Sequence, residues 1–541
     1  MTGVDVKLEW APLLVLLFCL AGCPGSGTAS RAGNASSAGS VSASNSNSAT
    51  GSGATSPASS GPTASTSSSS ADIVVDASKT LAGISRDEIG TNAAIWYNTT
   101  ASDLPAEIAS LSPGILRWPG GSTADTYHWR SQTKCNAAHA PVSAYDSRST
   151  FDAFMNDIVI PGGYDVAITV DYGSNASCTG GGDPKEAAAW VAYAKSKGYD
   201  RYIKYWTVGN EEYGGWELDL HSHPHDPAGY AAAVAGPQGY YALMKAADPN
   251  ARVGVLIKGD PTAYHGWDRL VLANAPYDFV ELHDYLQQPG HESDRYLLDD
   301  APQALSQTIA TARGELSAAG RPDTPIMLGE FNSVAYSPGK QTLSIVNALF
   351  TGMAFGEVLN DNLSVATWWF GAGGNQLCHD NNSSSLYGWQ QFGGYDLVAA
   401  NASSSWNGCN AGPTVPEGTL LPSGNAFSMM SRFAQAGESM LGVAVSPAFP
   451  DVRAYAATLR SGGYAVMLFN LNETTSATLT VGIANANLTS YTATTLTYDK
   501  ELYDESRNNL WPGPVSATLG AVGAAAQVTL PPWSMVLLEL Q

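Results

Sequence analysis

The chain has little charge and, above all, little positive charge. Only 14% of its 541 residues are Asp, Glu, Lys or Arg, and 48 acids against 26 bases leave a formal net charge of −22. That balance argues against a nucleic-acid partner, which needs a basic face. With so few charges the surface must be largely Ser, Thr, Asn and Gly, which suits uncharged polar ligands. Long apolar runs are missing too: Leu13–Leu20 is too short to span a bilayer, and no later segment is apolar enough. Cysteine is sparse, six in all, and no Cys-x-x-Cys pair occurs, so the usual spacing of a structural zinc site is absent.

The short apolar stretch has the length of a signal-peptide core. It ends in Leu20-Ala21-Gly22-Cys23, which resembles the lipobox of bacterial lipoproteins. The resemblance implies that residues 1–22 are removed, that lipid is attached to Cys23, and that the protein sits in the bacterial cell envelope, anchored at the outer surface or in the periplasm. Residues 23–72 are Ser, Gly, Ala, Thr and Asn with almost no large apolar side chain. Such composition cannot bury enough surface to offset ordering entropy, so a flexible tether is expected. Cys19 lies within the signal, which leaves Cys135, Cys178, Cys378 and Cys409. Four cysteines in an oxidising compartment suggest two disulfides, with three possible pairings. Loop proximity favours Cys135–Cys178 and Cys378–Cys409.

Beyond the tether, some 470 residues are more than one core usually serves, so a large and a smaller domain are expected. Eight candidate strands recur at regular spacing: Ile89–Trp96, Gly114–Gly121, Asp165–Tyr172, Tyr205–Glu212, Arg252–Gly259, Phe279–Tyr285, Pro325–Phe331 and Val365–Phe370. Helical stretches at Pro184–Lys197, Gly239–Ala247, Ala301–Ala319, Ser344–Leu359 and Asn425–Ala436 lie between or after them. Strands alternating with helices predict parallel units, and eight of them a closed (β/α)8 TIM barrel over residues 85–437. From Gly437 the pattern changes to short strands rich in Val, Thr and Tyr: Val452–Leu459, Tyr464–Leu471, Ala477–Ile483, Tyr491–Tyr498, Ala517–Gly520 and Val528–Leu540. These predict an appended antiparallel β-sandwich of residues 73–84 plus 438–541, which Ile73–Asp76 joins before the chain enters the barrel.

Two glutamates stand out. Tyr205-Trp-Thr-Val-Gly-Asn-Glu211 and Pro325-Ile-Met-Leu-Gly-Glu330 each deliver a carboxylate at the C-terminal end of a buried parallel strand. In a barrel that end is where catalytic groups sit, and two facing carboxylates are the apparatus for cleaving a glycosidic bond. Asn210-Glu211 at the end of the fourth strand and Glu330 at the end of the seventh resemble the clan A retaining glycoside hydrolases. Leu116-Arg-Trp-Pro-Gly-Gly121, Asp278-Phe-Val-Glu-Leu-His283-Asp-Tyr285 and the ending Leu530-Pro-Pro-Trp-Ser-Met-Val-Leu-Leu-Glu539 look most like glycoside hydrolase family 51, the α-L-arabinofuranosidases.

The resemblance implies a hydrolase working by double displacement on polysaccharide or oligosaccharide, with carbohydrate as its partner and no cofactor. Glu211 would be the general acid/base, its pKa raised by burial near a second negative group, and Glu330 the nucleophile. Arg117 would keep Glu330 ionised, or else form a structural salt bridge. Tyr285 would hydrogen-bond the nucleophile, Asn210 the sugar 2-hydroxyl, and His283 the substrate. Glu212, the rival of Glu211, should point to the opposite face of the strand. Trp368, Trp369, Trp96, Trp118 and Trp129 are candidate sugar platforms or core residues. No metal is expected, although His221, His223 and His225 alternate and could ligate one, or simply line a surface loop.

Two departures from the family stand in the chain. Ala93-Ala94-Ile95-Trp96 occupies the place of a glutamate that grips arabinose, and Ser122 follows the Gly-Gly where an asparagine is usual. Another clan A activity (endoglucanase, xylanase or xylosidase, β-glucuronidase) therefore stays open, as does a lipid-anchored glycan-binding protein without catalysis.

Overall fold

The computed structural model describes residues 71–97, 103–372, 381–400, 415–486, 490–523 and 525–541. Cys23, the signal, nearly all of the tether, and Cys378 and Cys409 with their expected pairing lie outside the described residues.

Eight parallel strands close a barrel in chain order: Gly90–Asn92, Ile115–Trp118, Asp165–Val170, Ile203–Val208, Val253–Leu256, Phe279–Gln287, Ile326–Val334 and Val365–Trp368. These are the eight strands expected, mostly trimmed at their ends. They are almost wholly buried because helices cover the outer face while side chains fill the inside. The helices start and stop on local chemistry. Pro184–Lys197 opens with Asp183 accepting the Lys185 N–H and Pro184 at its first turn, and ends at Gly198 in the left-handed region (φ 71°). Helices at Leu104–Leu111, Pro227–Ala235 and Trp267–Asn274, of eight, nine and eight residues, were not expected.

The second layer is a nine-stranded sheet enclosing its own core of Val75, Leu441, Val466, Leu479, Ala526 and Leu538, among others. It corrects the expected sandwich at three places. Ile73–Gly83 is longer than foreseen, and besides its antiparallel partner Gly437–Val445 it lies parallel to Ala477–Ala484. Gly437–Val445 itself was not foreseen. The single strand expected at Val528–Leu540 is two, Ala525–Leu530 and Ser534–Leu540, because Pro531 and Pro532 cannot donate to a ladder.

Barrel and sheet belong to one compact unit. Between them lies the helix Ile345–Asn360, buried on nearly every side. At Gly352 a Cβ would stand 2.7 Å from the Phe469 ring and at Gly356 2.6 Å from the Tyr455 ring, so glycine lets the sheet approach the helix backbone. The Tyr455 hydroxyl donates to Glu357 Oε1 across this junction at 2.7 Å. A disulfide joins Cys135, on a small three-stranded sheet after the second barrel strand, to Cys178 in the loop after the third.

Candidate active site

The site is built on a buried arginine. Arg117, in the second strand and 0% exposed, spreads its guanidinium across the barrel mouth. Its Nη1 donates to Glu330 Oε1 at 2.8 Å and to Asn92 Oδ1 at 3.0 Å, and its Nη2 to Asn210 Oδ1 at 2.7 Å. Its Nε lies 2.8 Å from Glu281 Oε1. Four strands thereby converge on one side chain, since Asn92 belongs to the first, Glu281 to the sixth and Glu330 to the seventh, while Asn210 follows the fourth. The flat fork of the guanidinium is what allows one cation to engage several acceptors at once.

Period two along the sixth strand puts Glu281, His283 and Tyr285 on one face. Tyr285 donates its hydroxyl to Glu330 Oε2 at 2.8 Å. His283 lies between carboxylates, its Nε2 3.0 Å from Glu281 Oε1 and its Nδ1 3.2 Å from Glu211 Oε1 and 3.9 Å from Glu330 Oε2. Burial alone would lower the imidazole pKa. The charge of Glu330 and the hydrogen bonds to Glu211 and Glu281 outweigh it and raise the pKa to about 9. His283 is therefore an imidazolium at neutral pH, donating from both nitrogens. Glu281, also bonded by Thr207 Oγ1, is held below the usual carboxylate range by Arg117 and His283 against the effect of burial. Gly329 makes room for it: a Cβ there would lie 2.1 Å from Glu281 Oε1.

Glu211 sits past the end of the fourth strand, on a turn. Gly209 has φ 77° and Glu211 φ 46°, a left-handed conformation that a non-glycine residue adopts at a cost. The backbone N–H of Asn210, donating to Asp125 Oδ2 at 3.0 Å, fixes the turn. The Glu211 carboxylate accepts from Tyr213 Oη at 3.1 Å and Trp216 Nε1 at 2.8 Å in addition to His283. Burial would raise its pKa, but His283, the Trp216 N–H and Lys258 bring it down to about 2. This corrects the expectation of a raised pKa. The second negative group is present, but a cation stands between it and Glu211.

These groups line a cavity of about 670 Å³, walled by Trp96, Trp369, Tyr213, Trp216, Tyr264 and Tyr336 among others. Of the residues singled out from sequence, Glu211, Glu330, Asn210, His283 and Tyr285 meet at the cavity, and Arg117 lies directly beneath it. Trp368 does not reach it. It is fully buried against Phe331, Phe350 and Phe355, and its neighbour Trp369 faces the cavity instead. Trp118 and Trp129 are likewise core residues, stacked on Phe154 and Trp190. Glu212 is buried away from the cavity, and Ser122 donates to Glu217 at 2.9 Å. Glu281, Asn92, Trp216 and Lys258 were missed. Glu281 carried a signal, its place two residues before His283 on the same strand face.

No protein-family model matches the chain. A probable α-L-arabinofuranosidase C of Aspergillus flavus is 24% identical over 142 residues, which cover 23% of this chain. That match spans 27% of the curated relative. Solved structures are similar over nearly their whole length. An α-L-arabinofuranosidase of Thermotoga maritima has a TM-score of 0.65 at 17% identity, covering 87% of this chain and 99% of that one. The GH51 α-L-arabinofuranosidase of Thermotoga petrophila has a TM-score of 0.63 at 18% identity, covering 87% and 100%. A family 44 xyloglucanase of Paenibacillus polymyxa has a TM-score of 0.57 at 10% identity, covering 87% and 99%. The fold, a TIM barrel with a β-sandwich domain, is theirs.

The network around Arg117 generates a prediction. Arg117→Met takes from the buried Glu281 and Glu330 the guanidinium they share, leaving His283 alone between them, and should cost about 3–5 kcal/mol of stability. Glu330→Gln keeps the shape and most bonds, and should cost far less. Denaturant unfolding of both variants checks this, and equal losses would show that the guanidinium is not what holds the mouth together.

Proposed function

We propose that the protein is an exported retaining glycoside hydrolase, acting by double displacement and α-L-arabinofuranosidase-like in its active site. The observation that carries this reading is the pair of facing carboxylates, both within 3.9 Å of one imidazole nitrogen. One is held by a guanidinium and a tyrosine, the other by an imidazolium and an indole. Glu330, bonded by Arg117 and Tyr285, is suited to attack an anomeric carbon. The short separation needed for direct attack, about 5–5.5 Å, accords with both groups touching His283.

The proton economy of the site follows from its charges. Between pH values of about 2 and about 9 Glu211 and His283 together hold one proton, which rests on His283. As Glu330 bonds to the sugar its negative charge is consumed, and with it the strongest influence raising the His283 pKa. The proton then moves to Glu211 and on to the leaving oxygen. In the second half, Glu211 takes a proton from water, the glycosyl ester breaks, Glu330 regains its charge, and the proton returns to His283. The second half thus begins with Glu211 as the carboxylate a base must be, while in the first its acid proton is supplied by His283.

A second reading keeps the mechanism and changes the substrate. Trp216 and Tyr336, which are 57% and 78% exposed, stand on the cavity wall, and exposed rings there suit the sugars of a continuing chain. Together with Ala93 to Trp96 and Ser122, they favour another clan A activity on a polysaccharide backbone. Assays on arabinan, arabinoxylan, xylan, β-glucans and nitrophenyl glycosides separate the two.

Three outcomes are expected. Glu211→Gln and Glu330→Gln should each lower turnover by about a hundredfold or more, and proton NMR should show the first-formed product with retained configuration; release of the opposite anomer would overturn double displacement. Activity should fall as pH rises through about 9, where His283 loses its proton, and His283→Asn should move that limb downward; an unmoved limb would remove His283 from the proton path. We also propose anchoring through Cys23, so that fractionation should find the wild type with membranes and Cys23→Ala protein in the soluble fraction.

A further inference from the structure

The loop that follows Glu211 contains a second group of chemistry-bearing side chains, turned away from the cavity. Glu212, Asp219 and His225 each offer one ligand atom, and these atoms lie within 4.8 Å of one another. Glu212 is 0% exposed, and among the described residues no N–H and no alcohol or phenol hydroxyl reaches its carboxylate oxygens, which hydrogen-bond with the carboxyl of Asp125 instead. The group it faces is another acid: Asp125, also 0% exposed, whose oxygens accept the backbone N–H groups of Asn210 and Tyr172. Glu217, 6% exposed, is close by. Among the described residues no lysine or arginine pairs with Glu212, Asp125, Asp219 or Glu217. A positive charge is what this group lacks.

We propose that Glu212, Asp219 and His225 bind a divalent transition-metal cation of the zinc or manganese class beneath the turn that carries Glu211. Two carboxylate oxygens and an imidazole nitrogen make a mixed donor set that suits such ions, whereas calcium selects oxygen alone. The supporting contacts orient the ligands. Asp219 accepts the His225 backbone N–H at 2.8 Å, and the backbone N–H of His221 at 2.9 Å with His221 Nδ1 at 2.8 Å. His225 Nδ1 lies 3.1 Å from the Glu212 carbonyl oxygen, a contact that sets the ring. The cation would tie both ends of the segment from Glu211 to Asp226, which includes Trp216, to a single point. A second cluster, His128 with Cys135 and Cys178, carries no such site because its sulfurs are joined to each other. The inference departs from the sequence expectation of no metal and stands apart from the glycosidase reading, because its test is binding.

The full chain, stripped with EDTA and dialysed, is titrated with zinc chloride and with manganese chloride by calorimetry. One equivalent of one of these ions should bind, and the melting temperature should rise with its concentration. Glu212→Gln and His225→Ala should weaken binding by at least about tenfold, while His223→Ala, at an exposed neighbour, should not change it. Glu212→Gln keeps the shape of the side chain and so should remain folded, with a melting temperature indifferent to metal. Absence of stoichiometric uptake of either zinc or manganese would overturn the proposal. Binding that survives Glu212→Gln or depends on His223 would do the same.

Discussion

Everything at the mouth of the barrel depends on how one buried guanidinium is neutralised. Arg117 has no access to water, so its charge must be met by protein groups, and it is met by Glu281 and Glu330. Glu281 in turn engages His283, and His283 engages Glu211. The chain of alternating charge therefore runs from the core outward, and the two carboxylates that face the cavity are its ends. Asn92 and Asn210 accept two more of the arginine N–H groups and pin the first strand and the turn after the fourth to it. The strands could close a barrel without this network, but they would not present their ends at these distances.

The barrel was legible because its strands are buried on both faces and read as unbroken apolar runs at even spacing. Ile115, Leu116 and Ile168 announce a strand whatever lies beyond them. The edges were less legible. Tyr205–Glu212 reads as one strand, yet the ladder stops at Val208 and Glu211 lies in a left-handed turn, because backbone direction after Gly209 is a matter of packing against Asp125. Trp368 and Trp369 could not be told apart by composition, since a shift of one residue at the strand end decides which faces the cavity. In the sheet, Gly437–Val445 was hidden because its apolar residues do not alternate cleanly, and its partner Ile73–Gly83 is more than 350 residues distant in sequence.

The protonation of the site was the least legible property. Sequence placed two acids together and so suggested that one would be raised. The structure interposes a histidine, and the sign of the effect on Glu211 reverses. A residue's charge state depends on the groups within a few ångströms in three dimensions, and residue order along a chain conveys those only when a strand or helix supplies the period. The triplet Glu281, His283 and Tyr285 is the case where it does.

The helix Ile345–Asn360 has a consequence for how this architecture can vary. Its glycines are fitted to aromatic rings of the sheet on one side while the rest of the helix closes the barrel wall. The sheet is thus not an accessory that recombination could exchange for another appendage. Any lineage that replaced it would have to rewrite a barrel helix in the same step, so barrel and sheet should be inherited together.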